Sequence, residues 1–317
     1  MKRVLSISLL LLISLSLQAQ KDLGSLAEQL FRNCRNDRQK VNAIVDWITG
    51  HVSYTTFNTS SRRQPAVINE TDEEGPLPSL DERVAELVLK RRTAFCDGYA
   101  RLFSALCLAG GIRSEIICGY ANGGFGRPGR FGVNHYWNAV LLEGQWQLLD
   151  LTWASGYINL RDGEFVRQYN GRYILTSPEI FIRDHYPDDP RWILMPDPKV
   201  PDEFRQSPFR QRSFAKYGFT SFSPGKGIIE ATLGDTIVLQ LETRVASQGA
   251  ISPSTLVDSA FFTHSPSWVF LKPEPADASL FRYTYAVSNP GVEWLYLLYN
   301  DDVVMRYKIN VTQRTFR

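Results

Sequence analysis

The side chains best placed to do chemistry are a cysteine, a histidine and an aspartate, Cys96, His135 and Asp150. A cysteine attacks as its thiolate, which a helix N-terminus or a neighbouring cation stabilises. Of the four cysteines, Cys107 falls among Leu102, Phe103, Leu106 and Leu108 on an apolar helix, Cys118 follows Ile116-Ile117 in a strand pattern, and Cys34 lies in an opening helical region. Those three read as packing residues. At Cys96 the helical pattern begins, with Asp97-Gly98-Tyr99 following, so its sulfur stands at a helix N-terminus. Backbone N–H groups there can also face a developing oxyanion.

A thiolate nucleophile needs a base and proton donor, and the chain offers His51, His135, His185 and His264. His135 opens a strand pattern beside a glycine-rich stretch, where a side chain can project from a strand end. Asp150 sits in the apolar run Leu148-Leu149-Asp150-Leu151, where it is costly without a partner. Glu143-Gly144 reads as a tight hairpin turn. Antiparallel pairing about that turn sets residues whose numbers sum to roughly 287 opposite one another, close to the register of His135 and Asp150. Asp150 can then orient the imidazole, completing a triad for nucleophilic acyl transfer.

Other residues qualify the site. Trp137, Trp146 and Trp153 read first as core around it, and Trp137, with Tyr136 and Gly124, supplies the candidate substrate contacts. His185 reads as a capping or packing residue, and Asn138 as bonding nearby backbone. No paired C-x-x-C, H-E-x-x-H or calcium-loop pattern occurs, so no metal and no cofactor is expected. The stretch 122–130 leads from strand to strand, whereas phosphate loops lead into a helix. It is a surface excursion or a lid.

The elements that must position these groups follow from periodicity. Leu26, Leu30 and Phe31, then Val41, Ile44, Val45 and Ile48, predict two opening helices. Residues 53–80 read as a long surface loop. Helices are expected over 81–90 and from Cys96 to about Ala109, ended by Gly110-Gly111. Strands follow at 114–120, 135–142 and 145–152, and Ser177-Pro178 announces a short helix. Prolines and mixed charges at 196–213 suggest a linker. Short strand-like runs at 228–233, 236–243, 268–271, 281–288, 293–299 and 303–311 then predict an all-β, immunoglobulin-like sandwich. With no cysteine and only His264, that region reads as a binding or positioning module.

The expected organisation is a signal peptide over 1–19, a thiol domain over 20–195, a linker over 196–218 and a β domain over 219–317. The signal peptide rests on Met1-Lys2-Arg3, an apolar run from Val4 to Leu17 and the Gln18-Ala19-Gln20 junction. It predicts export to the periplasm or beyond. The chain of 317 residues carries 35 basic and 33 acidic side chains. Without Lys2 and Arg3 the charge is balanced, which disfavours nucleic acid and anionic membranes as partners. No later run is long and apolar enough to span a bilayer. A peptide or protein substrate remains, with an envelope partner for the β domain. One disulfide among Cys34, Cys107 and Cys118 stays open.

Taken together, Ala94-Phe95-Cys96-Asp97-Gly98-Tyr99-Ala100, His135-Tyr136-Trp137-Asn138 and Leu149-Asp150-Leu151-Thr152-Trp153 resemble the transglutaminase-like superfamily. The resemblance covers about residues 40–155. Tyr173–Leu194, with Ser177-Pro178, His185-Tyr186-Pro187 and Trp192, is similar to the kyphoscoliosis-peptidase-like branch. It implies an α+β papain-like core and acyl transfer through a thioester on Cys96, with His135 shuttling the proton and Asp150 holding His135. Water as acceptor gives a peptidase or amidase and an amine gives a transglutaminase; hydrolysis is favoured because no calcium site of the animal cross-linking enzymes is recognisable. A catalytically silent envelope scaffold that keeps the fold is the alternative.

Overall fold

Apolar clusters that share no residue divide the chain. The computed structural model describes residues 23–55, 79–122, 131–196, 199–243, 267–275 and 279–313. They fall into two compact units, one from Met1–Cys118, His135–Arg183 and Asp189–Pro196, the other from Gly119–Asn134, Asp184–Asp188 and Asp197–Arg317. Two segments of the expected thiol domain, Gly119–Asn134 and Asp184–Asp188, are thus counted with the second unit. The proposed signal peptide, Gly124 and His264 lie outside the described residues.

The first unit opens with α1 (23–31), α2 (Asp37–His51), β1 (Ser53–Tyr54), α3 (Leu80–Arg91), β2 (Thr93–Ala94) and α4 (Cys96–Ala109). The side chain of Asn36 caps α2 by accepting from Gln39 N, and Ser79 with Glu82 forms a reciprocal capping box on α3. The buried faces bring Val41, Ile44, Ile48, Val88, Leu102, Phe103 and Leu106 into one cluster. Each such side chain contributes roughly 1.5–3 kcal/mol by leaving water. Strands β3 (Ser114–Ala121), β4 (His135–Leu142) and β5 (Gln145–Leu149) form the sheet in the order β5-β4-β3, with β3 passing into the second unit.

Strand alternation splits that sheet's two faces. Val140, Leu142 and Leu149 join the helical cluster. Trp137, Ala139 and Leu148 pack with Ile117 and Phe181 on the other. The β4–β5 hairpin has the expected register, Asn138 opposite Leu149 and Leu142 opposite Gln145. Its turn places Glu143 at φ 54° and Gly144 at φ 78°, the paired left-handed geometry of a two-residue hairpin. The expected strand over 145–152 is shorter: β5 stops at Leu149, and Asp150 caps a short helix, α5 (Leu151–Ser155). A carboxylate accepting two amides competes with continued strand pairing. Next come β6 (Gly156–Ile158), β7 (Phe165–Arg167) and α6 (Pro178–Phe181).

The second unit is the β sandwich. It takes in β8 (His185–Pro187) and β9 (Phe209–Arg210), then α7 (Arg212–Lys216), β10 (Phe219–Ser223), β11 (Ile228–Thr232), β12 (Thr236–Thr243), β13 (Trp268–Leu271), β14 (Glu274–Pro275), β15 (Leu280–Ala286), β16 (Trp294–Tyr299) and β17 (Asp302–Thr312). One sheet runs β10-β12-β15-β14 and the other β11-β17-β16-β13, with β9 paired to β17. Leu239, Leu241, Phe281, Tyr283, Leu295, Leu297, Met305 and Tyr307 fill the space between them. The stretch 196–218, expected as a linker, instead carries a 3-10 turn (Asp202–Arg205), β9 and α7, with Phe204 and Phe209 fully buried. Its apolar residues are too widely spaced to show a period, yet burial of these rings outweighs the local proline and charge signals.

Candidate active site

The thiol begins where two short parallel strands end. Ser53 and Tyr54 of β1 pair with Thr93 and Ala94 of β2, and two residues later Cys96 opens α4. Phe95 is the N-cap and makes no side-chain capping bond, so no side chain of that residue competes for the first-turn amides. Gly98 is needed two residues on, because a Cβ there would lie 2.7 Å from the Ala94 Cβ and 2.9 Å from a Val88 methyl. The Cys-Asp-Gly sequence therefore lets α4 start tight against α3 and β2. Cys96 is half-buried, whereas Cys107 on the same helix is fully buried and its thiol is pushed up to about 12 by burial. The four cysteines form no disulfide.

His135 and Asp150 meet as the hairpin register allows. His135 Nε2 lies 2.8 Å from Asp150 Oδ2, with His135 buried and Asp150 fully buried. The other carboxylate oxygen accepts the backbone N–H groups of Thr152 and Trp153 at 2.9 and 3.2 Å. One aspartate thus starts α5 and fixes an imidazole. Burial alone would push His135 down; the Asp150 carboxylate and a hydrogen bond with Cys96 more than offset it, and its pKa is raised above the ordinary 6.5. With Nε2 on Asp150, the other ring nitrogen is the one left for the sulfur.

Aromatic rings hold the imidazole from the sides. Trp153, half-buried, lies 5.5 Å from the His135 ring centroid and stacks edge-on against Tyr173 at 5.2 Å. Trp137 lies 6.3 Å away, nearly parallel, with its ring in the core between Ala139, Leu148 and Phe181. As a candidate substrate contact Trp137 is misplaced: at 1% exposure it packs behind the imidazole. Tyr136, by strand alternation, points to the opposite side and is half-buried. Asn138 donates to the carbonyls of Ala100 and Glu115 at 3.0 and 3.3 Å, tying β4 to α4 and β3. His185 is buried in the second unit, its Nδ1 2.8 Å from Asp184 Oδ1.

Tyr54 is the site residue that the sequence conceals. Its ring meets Phe95 edge-on at 5.8 Å. Burial, and then the charges of Cys96, Asp150 and Asp97, raise its pKa, so it stays a neutral phenol able to donate. Tyr99 donates to Val52 O at 2.8 Å and pins the chain just before β1. A continuing apolar pattern through Val52 and Tyr54 was the available signal, but two-residue strands are below the length at which period 2 can be seen.

Residues 24–151 match the family model described as the transglutaminase-like superfamily. Kyphoscoliosis peptidase of Mus musculus is 31% identical over 227 residues, 70% of this chain and 32% of that protein. The Homo sapiens protein of the same name is 32% identical over 225 residues, 69% of this chain and 31% of its own length. The chain therefore spans about a third of these curated relatives. Among solved structures, the periplasmic domain of TgpA from Pseudomonas aeruginosa is 20% identical, over 41% of this chain and 42% of that one, at a TM-score of 0.29.

Proposed function

The chain carries a domain of the transglutaminase-like superfamily, and on that premise we propose that it is a thiol enzyme acting on peptide or protein amides through Cys96, His135 and Asp150. The observation that carries the reading is the buried 2.8 Å pair of His135 and Asp150 in a unit that also sets Cys96 at the start of a helix. In the resting pair the imidazolium stabilises the thiolate. The sulfur adds to the amide carbonyl, and we assign the Cys96 backbone N–H, at the helix start, to the oxyanion. His135 then gives its proton to the leaving amine, which departs and leaves a thioester. The neutral imidazole takes a proton from the incoming acceptor, whose oxygen or nitrogen replaces sulfur on the acyl carbon.

Water is the acceptor we favour, giving a peptidase or amidase; an amine would give cross-linking. The name of the two kyphoscoliosis peptidases supports the first. Export to the periplasm or beyond is part of the proposal and rests on the N-terminal sequence, Met1 to Gln20. Among the described residues no helix is long and apolar enough to cross a membrane. The test is a peptide library incubated with wild type and Cys96→Ala, with and without a primary amine. Cleavage lost in Cys96→Ala supports the reading, amine incorporation reassigns the acceptor, and equal turnover by both proteins overturns the mechanism.

A further inference from the structure

The division between the two units falls at the peptide bond joining Asn134 to His135, so the residues that deliver the imidazole to β4 belong to the β unit. They are held there by three kinds of contact. Phe131 is 3% exposed, and its ring packs edge-on against Phe204 at 4.7 Å, Phe209 at 4.9 Å and Tyr120 at 5.0 Å. Its carbonyl accepts from Arg210 N at 3.2 Å, and Gly132 forms a parallel bridge with Arg210. Asn134 acts as a clasp on the end of β3: its N–H donates to Gly119 O at 2.9 Å, its Oδ1 accepts from Ala121 N at 2.8 Å and its Nδ2 donates to Ala121 O at 3.2 Å.

Strand β9 is not a loose connector. Phe209 and Arg210 pair with Arg306 and Met305 of β17, inside the five-stranded sheet. Arg306 is fully buried, with its guanidinium 4.8 Å from the rings of both Tyr186 and Phe209 and its Nη2 donating to Pro187 O at 3.2 Å. The sheet, β9 and Phe131–Gly132 therefore form one run of backbone pairing that ends three residues before His135. Gly132 has no room to spare: a Cβ would lie 2.9 Å from Arg210 O, a backbone atom that a side-chain rotation cannot clear.

We propose that β9, built onto the sandwich, is a positioning element for His135, with Gly132 and Asn134 as the residues through which it acts. The backbone that leads into His135 is then held from its N-terminal side by β9. The inference rests on the proposed thiol function. It differs from a detachable binding module, whose loss would change substrate capture and leave the thiol's intrinsic reactivity intact.

The experiment measures alkylation of Cys96 by iodoacetamide at pH 6 in the full chain, read at the Cys96 peptide by mass spectrometry, with thermal unfolding in parallel. His135→Ala sets the scale for a lost pair. Gly132→Ala is expected to slow alkylation on the order of tenfold, inside the hundredfold that a 1 Å misplacement can cost. Asn134→Ala, at an exposed position that tolerates truncation, is expected to slow it about threefold. Leu239→Ala, in the core facing the other sheet, is expected to lower the unfolding temperature without slowing alkylation. Should Gly132→Ala not fold, Asn134→Ala alone decides. Wild-type reactivity in the folded variants, or equal slowing in Leu239→Ala, overturns the positioning role while leaving the thiol reading intact. No change in His135→Ala overturns both.

Discussion

Each unit buries a charged side chain, and they do so by opposite means. In the first, His135 is paired to a fully buried carboxylate at 2.8 Å, which holds its pKa above the ordinary value. In the second, Arg306 is surrounded by the faces of Tyr186, Phe209, Trp294 and Tyr296 at 4.8 to 5.9 Å. An aromatic cage satisfies a cation that never changes charge and stiffens the strands that bear the rings. A carboxylate partner sets how readily a titratable group holds its proton. A buried charge that can titrate beside a nucleophile points to chemistry, and one that cannot points to architecture.

The sharpest way to break this comparison is to exchange what each charge controls. His135→Ala should reduce turnover of an identified amide substrate by a thousandfold or more, on the order of 4 kcal/mol of barrier, a larger loss than the stability given up with the Asp150 pair. Arg306→Ala should act first on stability, costing about 3–5 kcal/mol in urea unfolding of the sandwich by leaving its cage hollow. Arg306→Met, which refills the cage with a neutral chain, should cost less than half as much. If Arg306→Ala unfolds like wild type, the cage is not structural.

The next test uses pH. His135 is raised from 6.5, so the imidazolium–carboxylate pair contributes its full stabilisation below about pH 6.5 and loses it as pH rises through the raised value. Asp150→Asn should therefore lose most stability relative to wild type near pH 6 and progressively less toward alkaline pH. It should also draw the alkaline limb of turnover toward neutrality, since the general acid would release its proton earlier. Parallel stability curves at pH 6 and pH 9 would contradict the assignment. The smallest effect is at Tyr54: Tyr54→Phe keeps the ring against Phe95 and removes one donor, and should slow turnover several-fold with stability unchanged.

Much of the site could be read from residue order. Cys96 had to start a helix because apolar periodicity begins there, and α4 runs Cys96–Ala109 as expected. The hairpin register followed from Glu143-Gly144, which requires two left-handed residues. Five strands of the sandwich were recognisable to within one residue at each end, including β12 at Thr236–Thr243 and β13 at Trp268–Leu271. Phe209-Arg210 carried no such signal, because a two-residue strand has no period and its burial depends on rings remote in sequence. Trp137 also misled: a tryptophan beside a histidine looks like a substrate platform until strand alternation turns it into the core.

Residue types and local spacing determined the chemistry available: a thiol at a helix start, an imidazole at a strand start and a carboxylate across a tight turn. Those features depend on hydrogen bonds and periodicities that span a few residues. Tertiary structure decided that Asp150 ends its strand and splits its two oxygens between α5 and His135. It also decided that Tyr54 packs edge-on against Phe95, the residue before Cys96, and that Phe131 and Gly132, leading into His135, pack on Phe204 and pair with Arg210. Each of those outcomes depends on which distant surface a side chain is buried against, and that is fixed only when the whole core closes.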